Sequence, residues 1–331
     1  MRLVFAGSPA AALPSLLALA ESEHEIVGVL TRSDTPQGRK RVLTPTPVAV
    51  EAERLGLPVI KTRRMTDEVS ARLAALEPDL GVIVAFGALL REPVLSLPRL
   101  GWVNLHFSLL PRWRGAAPVQ RALMAGDVTT GAAVFQLVAD LDAGDVYGTL
   151  EHRLTGDETA GALLDELAVS GATLLGRTVD SLAAGTAVGV AQTGVVSVAP
   201  KLTIDDGALD LRRPAREVLD RYRGTTPEPG AHVPFDGARL KVLELREPSP
   251  EPAPQGGDDA GRDAASSPPG PGALVRSGRS ILVGTATGPL ELVSVQPAGK
   301  RPMAAADWFR GLPDRGAPHL LVSPLPEGDH E

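Results

Sequence analysis

Cysteine is absent from the 331 residues. Its absence removes disulfides, thiolate nucleophiles and cysteine-held zinc from consideration and suits a reducing compartment. The turn Gly7-Ser8-Pro9-Ala10-Ala11 lacks the three-glycine spacing of a dinucleotide fingerprint, and no Gly-Lys-Ser/Thr is present to cradle a nucleotide phosphate. His24, His106, His152, His232, His319 and His330 include no pair at helical metal-ligand spacing, so no metal is expected. No stretch reaches the roughly 18 uninterrupted apolar residues of a membrane span. The apolar run after Met1-Arg2 is broken by Gly7-Ser8-Pro9 and by Pro14, which argues against a secretory leader. A soluble cytosolic chain without membrane association is expected. A basic excess is missing too: 33 Lys and Arg stand against 40 Asp and Glu, a net charge of -7, where a nucleic-acid binder ordinarily shows a positive footprint.

What is present is ordinary for a folded chain: 43% hydrophobic and 22% charged residues, and length enough for two domains with their own cores. Short apolar runs at 2–6, 25–30, 58–61 and 80–86 suit strands covered on both faces. Between them lie helical patterns at Leu13–Leu19, Val48–Leu55 and Val69–Leu76. That alternation predicts an α/β fold with a doubly wound, mostly parallel, Rossmann-like sheet, whose ligands bind beyond the carboxyl ends of its strands. Leu163, Leu164, Leu167, Leu174, Leu175, Val179 and Leu182 predict one long helix or two joined ones, ending at Gly185. The expected organisation is a catalytic domain over 1–188, a linker over 189–206 and a second domain over 207–331. Strand candidates in the second domain are Leu240–Leu245, Ala273–Val275, Ile281–Gly284 and Leu290–Val295, for which a small β-barrel is the natural closure. Residues 248–272 hold seven prolines, five glycines and no aliphatic side chain larger than alanine. They are expected to be a disordered insertion.

The chemistry concentrates in Asn104-Leu105-His106-Phe107-Ser108 and in Leu141-Asp142-Ala143-Gly144-Asp145. Val103, Leu105 and Phe107 alternate with Asn104, His106 and Ser108, a period of two that puts the three polar groups on one strand face. Transfer of a formyl group between nitrogens passes through a tetrahedral oxyanion. It needs a hydrogen-bond donor at that oxygen and a group that moves protons between the nitrogens. Asn104 suits the first task and His106 the second, while Asp142 can orient the imidazole and stabilise its cation. Read alone, each residue has a plainer alternative: a satisfied structural Asn or His on a half-buried strand, or an Asp serving a turn beside Gly144.

Asn104-x-His106-x-Ser108-Leu109-Leu110-Pro111, continuing as Arg112-Trp113-Arg114-Gly115-Ala116-Ala117-Pro118-Val119-Gln120-Arg121, closely resembles the methionyl-tRNA formyltransferase family. Phe5-Ala6-Gly7-Ser8-Pro9 and Val84-Ala85-Phe86-Gly87 look like its first turn and its pteridine-bordering loop. Gln296-Pro297-Ala298-Gly299-Lys300, Met303 and Trp308-Phe309 resemble its last strand and helix. The resemblance implies catalytic roles for Asn104, His106 and Asp142. It implies 10-formyltetrahydrofolate as cosubstrate, held by Phe86, Gly87, Ser108, Leu109, Leu110, Pro111 and Leu141, and initiator methionyl-tRNA as acceptor. It further implies an OB-like barrel at 207–331, and we expect a monomer.

The segment Ser33–Pro47 is longer than a connector needs, and residues 32–41 carry Arg32, Arg39, Lys40 and Arg41 against Asp34. By resemblance it meets the tRNA acceptor end, with Arg39 matching the family's arginine and Lys40 and Arg41 at phosphates; on its own it could be a solvated basic loop. Three departures stand out: Ala143 replaces the family's usual Thr, Gly224–Gly230 replaces an Asn-Pro-Trp-Pro-Gly turn, and 248–272 is inserted. The rival readings are a formyltransferase for a sugar or purine-precursor amine, a formyl-folate hydrolase, and an RNA-binding protein without catalysis.

Overall fold

The computed structural model describes residues 1–38, 41–248, 268–312 and 319–320. The chain forms two compact units: Met1–Ala122 with Asp127–Glu158 and Ala162–Lys201, and Leu123–Gly126 with Thr159–Gly161 and Leu202–Glu331.

The first unit opens as the apolar runs require, with β1 (Arg2–Gly7), α1 (Leu13–Ala20) and β2 (Glu25–Arg32). A hairpin follows, β3 (Thr35–Gln37) and β4 (Val42–Thr44), then α2 (Pro47–Arg54), β5 (Val59–Thr62), α3 (Asp67–Ala74) and β6 (Leu80–Val84). After β7 (Trp102–His106) come β8 (Arg114–Gly115), α4 (Pro118–Met124), β9 (Thr129–Gln136), β10 (Val146–Arg153), the single helix α5 (Ala160–Ala183) and β11 (Val198–Ala199). The sheet runs β10-β9-β7-β6-β1-β2-β5. Five strands pair in parallel, while β9 runs antiparallel to β7 and β10 antiparallel to β9, back in the direction of the five. Helix starts follow local chemistry. Thr46 caps α2 by accepting the Ala49 N–H ahead of Pro47, and Thr66 caps α3 through Val69 N–H with Asp67 and Glu68 in the first turn.

Strands β1 and β6 are buried throughout except for Arg2, which is why they read as continuous apolar runs instead of alternating ones. Gly81 lies beside Trp102 in the β6–β7 ladder, and a Cβ there would stand 2.1 Å from the indole ring. Gly81→Ala is therefore expected to lower the unfolding free energy by about 1–3 kcal/mol through overpacking. Denaturant titration at unchanged m-value checks this.

The second unit holds α6 (Ala215–Thr225), β12 (His232–Phe235), β13 (Ala238–Arg246), β14 (Leu274–Ser277), β15 (Ser280–Gly284), β16 (Pro289–Gln296), β17 (Met303–Ala304) and α7 (Ala305–Arg310). Its antiparallel sheet runs β12-β13-β16-β15-β14, with β17 on β16. Among the described residues no ladder joins β12 to β14. Val233, Leu240, Val242, Ile281, Leu290, Leu292 and Val295 form its core with Val218 and Tyr222 of α6 and Trp308 of α7. Phe235 meets the Trp308 ring edge-on at 5.0 Å.

Two expectations are corrected. Of the insertion 248–272, residues 249–267 lie outside the described residues, but its end is ordered. Gly272 donates to the Gly284 carbonyl, Ala273 donates to that of Gly270, and a Cβ on Gly284 would strike the Gly270 and Pro269 carbonyls. Backbone polar groups, not apolar side chains, fasten this end, so composition gave no sign of it. Nor is 189–206 a free linker. Up to Lys201 it belongs to the first unit, through an antiparallel bridge between Val146 and Val190 and the pairing of β11 with β8.

Candidate active site

Strand β7 lies between β6 and β9, with Asn104 beside Ile83 on one side and Phe135 on the other. This fixes the backbone beneath Asn104 and His106 at the carboxyl end of the parallel strands, where open α/β sheets take their ligands. Ser108 falls just past the strand end.

His106 is 6% exposed and meets the edge of Phe135. Its Nε2 lies 2.8 Å from the Trp113 carbonyl. A carbonyl only accepts, so Nε2 carries the hydrogen and the neutral ring leaves a lone pair on Nδ1. That Nδ1 faces Asp142 Oδ2 at 3.8 Å, too far for a hydrogen bond yet close enough to stabilise an imidazolium. Burial pushes the His106 pKa below the ordinary imidazole value, against the opposing pull of the Asp142 charge and the Trp113 carbonyl. The ring is thus held neutral, as a base must be before it acts.

Asp142 is itself buried and sits in the left-handed region at φ 47°, a conformation Asp tolerates better than most side chains. The Gly115 N–H donates to its Oδ2 at 2.7 Å. Asn104 is half-buried, and its carboxamide makes no hydrogen bond to any described residue. An amide left uncommitted beside a base is open to a ligand oxygen.

Trp113, also left-handed at φ 61°, is held on three sides. Its N–H donates to Ser197 Oγ at 2.9 Å, its indole to Asp127 Oδ2 at 2.8 Å, and the Arg112 guanidinium covers its ring at 5.5 Å. The Trp113 carbonyl and Gly115 N–H thus serve His106 and Asp142 directly. Sequence reasoning missed both, because main-chain groups carry no residue-type signature.

The residues expected around folate are placed unevenly. Val84 pairs with Leu105, so Phe86 and Gly87 leave the sheet where β7 ends. Phe86 is buried in an apolar cluster with Ala6, Ile83 and Leu90, whereas Gly87 is exposed at φ 79°. Leu109 and Leu110 are half-buried, Pro111 is buried, and Leu141 is 51% exposed. Ser108 is sealed from solvent, its hydroxyl donating to the Arg112 carbonyl at 2.6 Å, so its side chain fixes the turn. In the basic segment, Arg41 is exposed and closes the hairpin by donating its N–H to the Gly38 carbonyl; Arg39 and Lys40 lie outside the described residues.

Beyond the ends of β2 and β5 lies a cavity of about 470 Å³ lined by Arg32, Arg63, Arg64 and Arg91 against Asp67 and Glu92. Four cations against two carboxylates favour an anion there. Among the described residues no three His, Cys, Asp or Glu side chains gather as metal ligands, and no helix is long and apolar enough to cross a membrane.

Comparison with known proteins places the chain in a family. Residues 1–179 match the family model "Formyl transferase", and 201–313 match "Formyl transferase, C-terminal domain". The methionyl-tRNA formyltransferase of Leifsonia xyli subsp. xyli (strain CTCB07) is 59% identical over 94% of this chain and 97% of its own. That of Clavibacter sepedonicus is 57% identical over the same shares. Among solved structures, the N-formyltransferase from Helicobacter canadensis, in complex with folinic acid and dTDP-3-aminofucose, superposes with a TM-score of 0.63. It is 14% identical, and the match covers 88% of this chain and 98% of that one, a likeness of fold alone. The chain belongs to the methionyl-tRNA formyltransferase family.

Proposed function

We propose that this chain transfers the formyl group of 10-formyltetrahydrofolate to the α-amino group of methionine esterified to initiator tRNA. The observation that carries the reading is the buried His106, its tautomer set by the Trp113 carbonyl, its Nδ1 turned to Asp142, beside the uncommitted Asn104 amide. The neutral amine attacks the formyl carbon and a C–N bond forms. Asn104 donates to the oxygen that becomes an oxyanion, and His106 takes the proton released by the amine. Asp142 stabilises the resulting imidazolium. As the oxyanion collapses, the bond to folate N10 breaks and that nitrogen receives the proton, leaving tetrahydrofolate and N-formylmethionyl-tRNA.

Folate lies against Phe86, Gly87, the turn Ser108–Pro111 and Leu141. The catalytic domain takes in the first unit up to Lys201, and the strands of 207–331 close as an OB-like barrel that follows the tRNA. The enzyme works as a cytosolic monomer. The direct test supplies purified protein with formyl-folate and charged initiator tRNA, using elongator methionyl-tRNA and free methionine as controls; formylation of the controls at the same rate would overturn the acceptor assignment.

Arg39, Lys40 and Arg41 contact tRNA in this reading. Arg39→Ala is expected to weaken use of charged initiator tRNA, with a defect that deepens as salt rises if phosphate contacts dominate. Folate affinity should be untouched. Equal activity of variant and parent at every salt concentration would remove this loop from the acceptor site.

A further inference from the structure

We propose that Gln192 is a positioning residue for this reaction, clamping the Asp142 loop to the Trp113–Gly115 segment. Its Nε2 donates to two carbonyls of the Asp142 loop, that of Asp142 at 2.8 Å and that of Gly144 at 2.9 Å. Its Oε1 accepts from Arg114, at 3.2 Å from Nε and 2.6 Å from a terminal nitrogen. One carboxamide thus ties together the two chain segments that meet at Asp142 Oδ2, where Gly115 N–H donates. All four of these hydrogen bonds stay within the first unit.

The strap that bears Gln192 is anchored on both sides. Val190 and Val146 exchange both backbone hydrogen bonds upstream, and Val198 and Ala199 pair with Arg114 and Gly115 downstream. Along the strap, anchors included, the usual preference is inverted. Val190, Val195, Val196 and Val198 are exposed, while Gln192 and Ser197 turn inward to bond Arg114, Asp142, Gly144 and Trp113. Apolar burial would choose the opposite arrangement; what the strap contributes is polar contacts to the catalytic loops.

The consequence for His106 follows from geometry. The groups named against its ring are Asp142, the Trp113 carbonyl and Phe135, and of these only Asp142 is charged. Among the described residues no other hydrogen bond from the strap reaches the Asp142 backbone, so without the amide donor the strap no longer fixes it in its left-handed state. A carboxylate drifting from Nδ1 stabilises the imidazolium less, so the His106 pKa falls further.

This inference rests on the formyl-transfer reading, and two readouts keep the two separable. In the transfer assay, Gln192→Leu and Gln192→Glu are each expected to lower kcat about tenfold to a hundredfold, as misplacement of a catalytic group does, with KM for folate within about twofold. Glu retains the acceptor for Arg114 but cannot donate to Asp142, so equal loss in both variants assigns the effect to the donor arm. Independently of any substrate, the NMR titration of the His106 ring should move to lower pH in Gln192→Leu, which removes the donor without adding a charge. A parent enzyme that fails to formylate sinks the functional reading and leaves the titration valid. Parental kcat in both variants with a parental His106 titration in Gln192→Leu overturns the positioning role; if Gln192→Leu does not fold, the near-isosteric Gln192→Glu decides through kcat.

Discussion

Turnover of the His106→Ala variant is expected to fall by about two to four orders of magnitude, the usual contribution of a positioned acid–base group. The binding of folate should change little, because the ring is buried and is spent on Trp113 and Asp142. The pH profile carries the second half of the prediction. In the proposed reaction His106 acts as the neutral base, and its pKa is depressed chiefly by burial. Once the acid limb from protonation of the acceptor amine (ordinary α-amino value about 7.7–8.0) is divided out of the parent's kcat/KM, the limb that belongs to His106 should lie below the ordinary imidazole value of about 6.5. In His106→Ala this acid limb should vanish along with the rate. Near-parental turnover in the variant, or an unchanged acid limb, would remove His106 from the proton path.

Asn104→Ala is expected to cost a factor on the order of a hundred or more, the loss seen when one oxyanion donor is deleted. The carboxamide makes no bond to the described residues, so the truncation leaves no stranded partner, and melting temperature should hold within a degree or two. An interaction made in the transition state lowers kcat and kcat/KM together. A rise in KM at constant kcat would instead mark Asn104 as a substrate-holding group, and the oxyanion assignment would fail.

Much of the first unit was legible because burial and hydropathy agree there. Strands β1, β2 and β6 are covered on both faces and read as unbroken apolar runs. The harder elements lack that agreement. The three-residue strands β3 and β4 expose nearly every side chain, so the hairpin reads as a basic loop. Strand β12 carries Pro234, which argues against a strand until its place at the end of the sheet path is seen. Helix α6 buries Val218, Leu219 and Tyr222 among three arginines whose charges mask the apolar stripe. At the site, Asn104, His106 and Asp142 could be named from their chemistry and from family likeness. What joins them could not: a carbonyl from Trp113, an N–H from Gly115 and an amide reaching back from Gln192 on a stretch that reads as a linker.

The occupied Nε2 of His106 has a consequence for how charge moves. With that nitrogen committed to a carbonyl and the ring almost wholly buried, the imidazole offers a single port. In the proposed reaction the proton leaves by the nitrogen through which it entered, without a ring flip and without passage through to bulk water. The two half-reactions are then timed by the attraction of Asp142 for the loaded ring and by the rising basicity of the departing folate nitrogen. The histidine works less as a wire than as a berth, holding one proton between two neighbours that reach the same face.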